Sequence, residues 1–79
     1  MILNVESRSG LHGDTEPVAF MLGGLRIEIL QIVDRWISEQ HSYFKVDASD
    51  SGMYILRYTP QHRLWELTLF QAGHGHSPR

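Results

Sequence analysis

Three turn signals, set between short apolar runs, constrain this chain more than any other feature. In "PVAFMLGGLRIEI", Gly23-Gly24 separates two apolar runs. Two residues is the loop length of a tight hairpin, whose central positions take positive φ. In "FKVDASDSGMYIL", Ser49, Asp50, Ser51 and Gly52 divide two more runs. Gly52 suits the left-handed position of a bulged turn there. In "LRYTPQHRLWEL", Pro60 falls at the second position of a turn, where its fixed φ fits. Turns this closely spaced predict an antiparallel meander rather than strand–helix alternation.

The segment "LRIEILQIVDRWISEQ" is ambiguous. Leu25, Ile29, Ile32, Val33 and Trp36 fall on a helical stripe, while Leu25, Ile27 and Ile29 alternate like a strand. The strand phase slips near Leu30–Gln31, and a β-bulge there would carry Ile32, Asp34 and Trp36 onto one side. The β-branched residues favour a long bent strand over 25–37. A helix over about 25–38 is the alternative, which would make the fold α+β.

Length sets the scale. With 79 residues the chain makes one small domain, so its core must use nearly every large apolar side chain. Pro17 to Phe70 holds almost all of them. Residues 1–16 read as a flexible segment, although "MILNV" offers an edge strand, and residues 71–79 read as a disordered tail. The expected strands are 17–22, 25–37, 43–48, 53–59 and 63–70. They give a mostly β fold, a small antiparallel meander of four to five strands in a partly open SH3-like barrel. The expected core is Val18, Phe20, Ile27, Ile29, Ile32, Trp36, Phe44, Val46, Tyr54, Leu56, Trp65, Leu67 and Leu69.

Composition narrows function mainly by exclusion. There is no cysteine, so disulfides, thiolate metal sites and a cysteine nucleophile are absent. In so small a domain that absence favours a reducing, cytoplasmic setting. The N-terminus lacks the charge and apolar run of a signal peptide, and no run approaches the ~20 residues of a membrane span. A net charge of −2 gives no drive toward phosphate backbones.

The stretch "MYILRYTPQHRLWEL" mixes aromatic and basic residues in a way that suggests nucleic-acid stacking. Strand parity argues otherwise. Tyr54, Leu56 and Tyr58 share one face with Trp65, Leu67 and Leu69, while Arg57 lies on the other. Phe44 and Val46 join the interior, leaving Tyr43, Lys45 and Asp47 outside. A single-strand platform needs aromatics and cations exposed on one face. Core plus solvated face is therefore the preferred reading, with nucleic acid possible but disfavoured. Trp36 is read as closing the end of the core, with an exposed recognition anchor as the alternative.

The segments Pro17-Val18 with Phe20, Val33 to Trp36, Tyr43 to Val46, Tyr54 to Tyr58 and Trp65 to Leu67 together resemble a family of short, uncharacterised bacterial proteins. The second match departs from the pattern in spacing, since Val33 and Asp34 are adjacent and Trp36 follows. The resemblance covers about two-thirds of the chain and implies a small β-rich domain, associated in some relatives with DNA-repair polymerase gene neighbourhoods. It implies no catalytic residues.

No paired carboxylates, phosphate-cradling glycine loop or nucleophile–base arrangement appears, so no enzyme and no cofactor is expected. His74 and His76 supply two metal ligands without a fixed third, and a polar tail is the simpler reading. The leading expectation is a non-catalytic adaptor that binds a protein through an open edge or a face formed by Arg35, Tyr43, Lys45 and Arg57. A weak nucleic-acid-binding module linked to DNA repair or regulation is the alternative. The chain is expected to be a monomer or a weak homodimer.

Overall fold

The computed structural model describes residues 1–10 and 14–71, so residues 72–79 of the expected tail, with His74 and His76, lie outside the described residues, as does His12. Gln71, read as the start of that tail, ends the last strand. Six strands follow one another: β1 Ile2–Ser9, β2 Thr15–Leu22, β3 Leu25–Ile37, β4 Ser42–Ala48, β5 Met53–Thr59 and β6 Leu64–Gln71. Each pairs antiparallel with the next, and β1 pairs with β6 to close a barrel. The expected small β-barrel is thus what the chain forms, with six strands rather than four or five, and closed rather than partly open. Residues 25–37 are strand throughout, and the described residues contain no α-helix.

The additional strand comes from the segment read as flexible. In β1 the apolar Leu3 enters the core and pairs with Trp65, while Asn4 to Ser9 ladder along β2. The polar run after Val5 masks a strand whose outer side meets solvent.

The turns follow the residue chemistry in two of three cases. Gly23 and Gly24 both take positive φ, 58° and 84°, and close the β2–β3 hairpin with Leu22 opposite Leu25. Pro60 opens a 3-10 turn to His62, ended by Arg63 in the left-handed region at φ 49°. In the β4–β5 turn the left-handed residue is Ser51, at φ 69°, rather than Gly52. Gly52 suits its place for a different reason, the close approach of two rings. A Cβ there would stand 3.0 Å from Tyr54 Cε1 and 3.1 Å from Phe70 Cε1.

Inside the barrel Leu3, Phe20, Ile27, Phe44, Val46, Tyr54, Leu56 and Trp65 form one buried cluster. Phe20 and Tyr54 meet edge to face at 4.8 Å, and Trp65 packs on Tyr58 at 4.6 Å and on Phe44 at 5.6 Å. Aromatic contacts of this kind add to the stabilisation from buried area. The Tyr54 hydroxyl donates to Asp50 Oδ2 at 2.5 Å, so this buried phenol keeps a partner. Burial, then the adjacent carboxylate, holds its pKa above the ordinary tyrosine value.

Three expected core residues lie outside the core cluster, and β-bulges account for all of them. Val18, half-buried, is inserted where β1 and β2 shift register, and Trp36 and Leu69 are exposed. In β3 the register with β4 shifts between Ile29 and Gln31, where the sequence places a bulge, and again between Ile32 and Asp34. The second bulge, at Val33, reverses parity once more. Asp34 and Trp36 therefore face outward opposite Lys45 and Tyr43, and Trp36 is 42% exposed. In β6, Ile55 pairs with Leu69 but Leu56 with Leu67, so Thr68 is inserted. Leu69 turns outward, and Phe70 joins Tyr54 instead, at 4.8 Å between ring centroids.

Candidate functional site

The unbroken pairing of β4 and β5 builds the outer face. Tyr43 lies opposite Arg57, and Lys45 opposite Ile55. Trp36 on β3 and Glu66 on β6 extend the first of these rows, so Trp36, Tyr43, Arg57 and Glu66 stand side by side across four strands. Asp34 extends the second row beside Lys45. Three of the four expected interaction residues, Tyr43, Lys45 and Arg57, thus share one face.

Trp36 and Tyr43 stack with centroids 5.4 Å apart and planes 6° from parallel. His41 meets Tyr43 edge-on at 6.1 Å, and its Nδ1 lies 3.0 Å from the Thr59 hydroxyl. Arg57 Nε and Nη2 donate to the same Glu66 oxygen at 3.1 and 2.7 Å. The hydrogen bonds from Arg57 hold the Glu66 carboxyl below the usual carboxylate range. The guanidinium is held above its ordinary value by Glu66 and then by Tyr43. Arg57 therefore stays charged but is partly neutralised. With Asp34 and Asp47 on the same outer side, the face carries three carboxylates against two cations.

Arg35 is not part of this face. The bulge at Val33 that turns Trp36 outward puts Arg35 on the sheet face that carries Phe44, where its side chain stays 37% exposed. Its guanidinium lies 5.4 Å from the Phe44 ring centroid and pairs with Glu16 of β2. That hydrogen bond is the main cause of a lowered Glu16 pKa. Arg35 also lines a cavity of about 240 Å³ at the barrel end, together with Thr15, Ser42, Tyr43 and Tyr58. Asp34 accepts the backbone N–H of Arg35 at 2.8 Å, and Arg57 pairs with Glu66 rather than with Asp34.

Sequence reasoning preferred Trp36 in the core, with the exposed anchor as its alternative, and missed Glu16 as a partner. The first follows from an unforeseen second bulge. For the second, the signal was the position of Glu16 next to Pro17, at the start of an expected strand. No protein-family model, curated protein or solved structure matches this chain.

Proposed function

We propose that this chain is a non-catalytic adaptor that binds a protein partner through the Trp36–Tyr43–Arg57 face. One observation carries this reading: two aromatic rings, already stacked on each other, stand at the outer surface beside a charged row. Such a pair offers apolar contact area whose ordering cost is already met within the fold, and Trp, Tyr and Arg dominate interface hot spots. Exposed Ile37 at the strand end widens the apolar part of the patch. The lack of cysteine supports a cytoplasmic setting, and among the described residues no helix is long and apolar enough to cross a membrane.

The test is affinity capture from lysate with wild-type bait beside Tyr43→Ala and Arg57→Ala baits, each verified as folded by circular dichroism. At least one protein should be retained by the wild type and lost from both variants. An identical retained set in all three samples would end the adaptor reading. Sedimentation of the wild-type bait tells whether it is a monomer or a weak homodimer.

A second reading, a weak nucleic-acid-binding module for repair or regulation, draws on the same geometry. Trp36 and Tyr43 share their face with Lys45 and Arg57, the combination a stacking platform uses. The excess of carboxylates on that face opposes it. Titration of labelled single-stranded and duplex oligonucleotides at low and moderate salt separates the two readings. Absence of salt-sensitive binding at micromolar protein would end the second.

A further inference from the structure

The barrel is closed, but it has a gap. Pairing between β2 and β3 runs only from Leu22↔Leu25 to Ala19↔Glu28. Beyond that point β3 ladders with β4 alone, so among the described residues its other edge from Ile29 onward has no strand partner. Thr15 to Val18 of β2 form the opposite rim, and Pro17 there has no N–H to offer. A cleft of about 350 Å³ lies between, with Val18, Ile29, Leu30 and Ile32 as apolar lining and Arg8, Glu16 and Arg35 as its charged groups.

The charges in the cleft do not balance. Glu16 is shared by two guanidiniums, pairing with Arg35 and lying 3.6 Å from Arg8 Nε. Asp14 lines the separate barrel-end cavity and not this cleft. Two cations thus face one carboxylate. Only Nη2 of Arg35 is bonded to Glu16, so the rest of its fork retains donors among the described residues. Arg8 is 70% exposed in its side chain and is free to turn toward an incoming anion.

The shape restricts what such an anion belongs to. The ladder at Ala19↔Glu28 shuts one end of the cleft, and the Arg35–Glu16 pair spans the other. The bulges at Leu30 and Val33 also interrupt the β3 edge, which discourages a long strand from running along it. These boundaries suit a chain end better than a strand running through the cleft. We propose that the β2–β3 cleft captures the carboxyl terminus of a partner polypeptide, seating its last apolar side chains on Val18, Ile29 and Ile32 and its terminal carboxylate beside Glu16, on the Arg35 donors that Glu16 leaves unbonded and on the exposed Arg8 head. Charge-assisted bonds from arginine to a carboxylate are strong and directional, so the terminal charge sets both affinity and polarity.

This site shares no residue with the Trp36–Tyr43–Arg57 row. Tyr43→Ala and Arg57→Ala should leave it intact, and its failure would leave the adaptor face untouched. The test is an NMR titration of the isotope-labelled full chain with pooled acetyl-tripeptides of apolar residues. One pool carries free carboxylates, and the other is C-terminally amidated. The free-acid pool should shift the amides of Val18 and Ile29 to Ile32 and the Arg35 side-chain Nε–H. The amidated pool should bind at least about tenfold more weakly, as expected for loss of a charge-assisted contact. Arg8→Gln, at an exposed position that leaves the fold intact, should weaken the free-acid pool, and so should raising salt to about 0.5 M. Arg35→Met should weaken it further.

Equal binding of acid and amide pools would overturn the proposal. So would an absence of shifts at those resonances at millimolar peptide, or acetate binding as tightly as the peptides.

Discussion

The β4–β5 hairpin and the β3 strand are built from similar residues and behave differently. From Ser42↔Tyr58 to Asp47↔Met53 the hairpin register is unbroken, so Phe44, Val46, Tyr54 and Leu56 all face inward as simple alternation requires. β3 spends its first residues on β2 and the rest on β4, and it turns between the two with bulges at Leu30 and Val33. Each bulge resets which side the next residue faces. Alternation therefore locates a side chain only as far as the ladder runs without interruption, and the reset exchanged the places of Arg35 and Trp36. One took the Phe44 face and staples the gap, and the other went to the outer face to stack on Tyr43.

The sharpest way to break this comparison is to cut the same side chain in both regions. Leu56 is fully buried in β5, while Leu30 at the first bulge of β3 is 68% exposed. Leu56→Ala should cost about 2–5 kcal/mol of unfolding free energy, by lost burial and the cavity left behind. Leu30→Ala should stay within about 0.5 kcal/mol. Urea denaturation read by circular dichroism measures both, and similar losses would mean that the bulge does not expel its residue. The two tryptophans repeat the contrast less steeply. Trp65 is at the centre of the aromatic core, and Trp65→Ala should cost about 3–5 kcal/mol. Trp36→Ala removes a half-exposed ring and one stacking contact, and should cost about 1 kcal/mol. Comparable costs would place Trp36 in the core after all.

The barrel, the extent of β3 and the hairpin interior were legible because turn chemistry and alternation are local signals. Gly23-Gly24 announced its hairpin, and Phe44, Val46, Tyr54 and Leu56 were identifiable by parity alone. β1 was not, because Glu6 to Ser9 are polar on both faces and only Leu3 contributes to the buried cluster. The outer grouping of Tyr43, Lys45 and Arg57 was also readable, since it depends on one unbroken ladder. The cleft was not readable. It depends on where β2 and β3 part, and on Arg35 facing Glu16 from 19 positions away in the chain. Neither fact leaves a periodic trace in the sequence.

The smallest effect, and the one that probes both regions through charge, is the acid response. Glu66 is held by Arg57 on the regular β5–β6 ladder, and Glu16 by Arg35 across the gap that β3 leaves open. Both carboxyls are held below the ordinary value of 4.5, chiefly by the hydrogen bond from the partnered arginine. A carboxyl whose folded pKa lies below its unfolded value binds more protons when the chain unfolds. Its contribution is therefore complete at neutral pH. It fades as the pH falls below 4.5 and is gone below the depressed folded value. Urea midpoints measured from about pH 7 down to about pH 3 should decline for the wild type, and less steeply for Glu66→Gln and for Glu16→Gln. The two variants should part company in the amide spectrum. Glu66→Gln should change only shifts near Arg57, because the ladder around it holds its register. Glu16→Gln releases the staple, and should shift Ile29 to Arg35 on β3 together with Thr15 to Val18 on β2. Confinement of the Glu16→Gln shifts to residue 16 and its chain neighbours would mean that the ion pair does not hold the gap, and that β3 keeps its curve from the bulges alone.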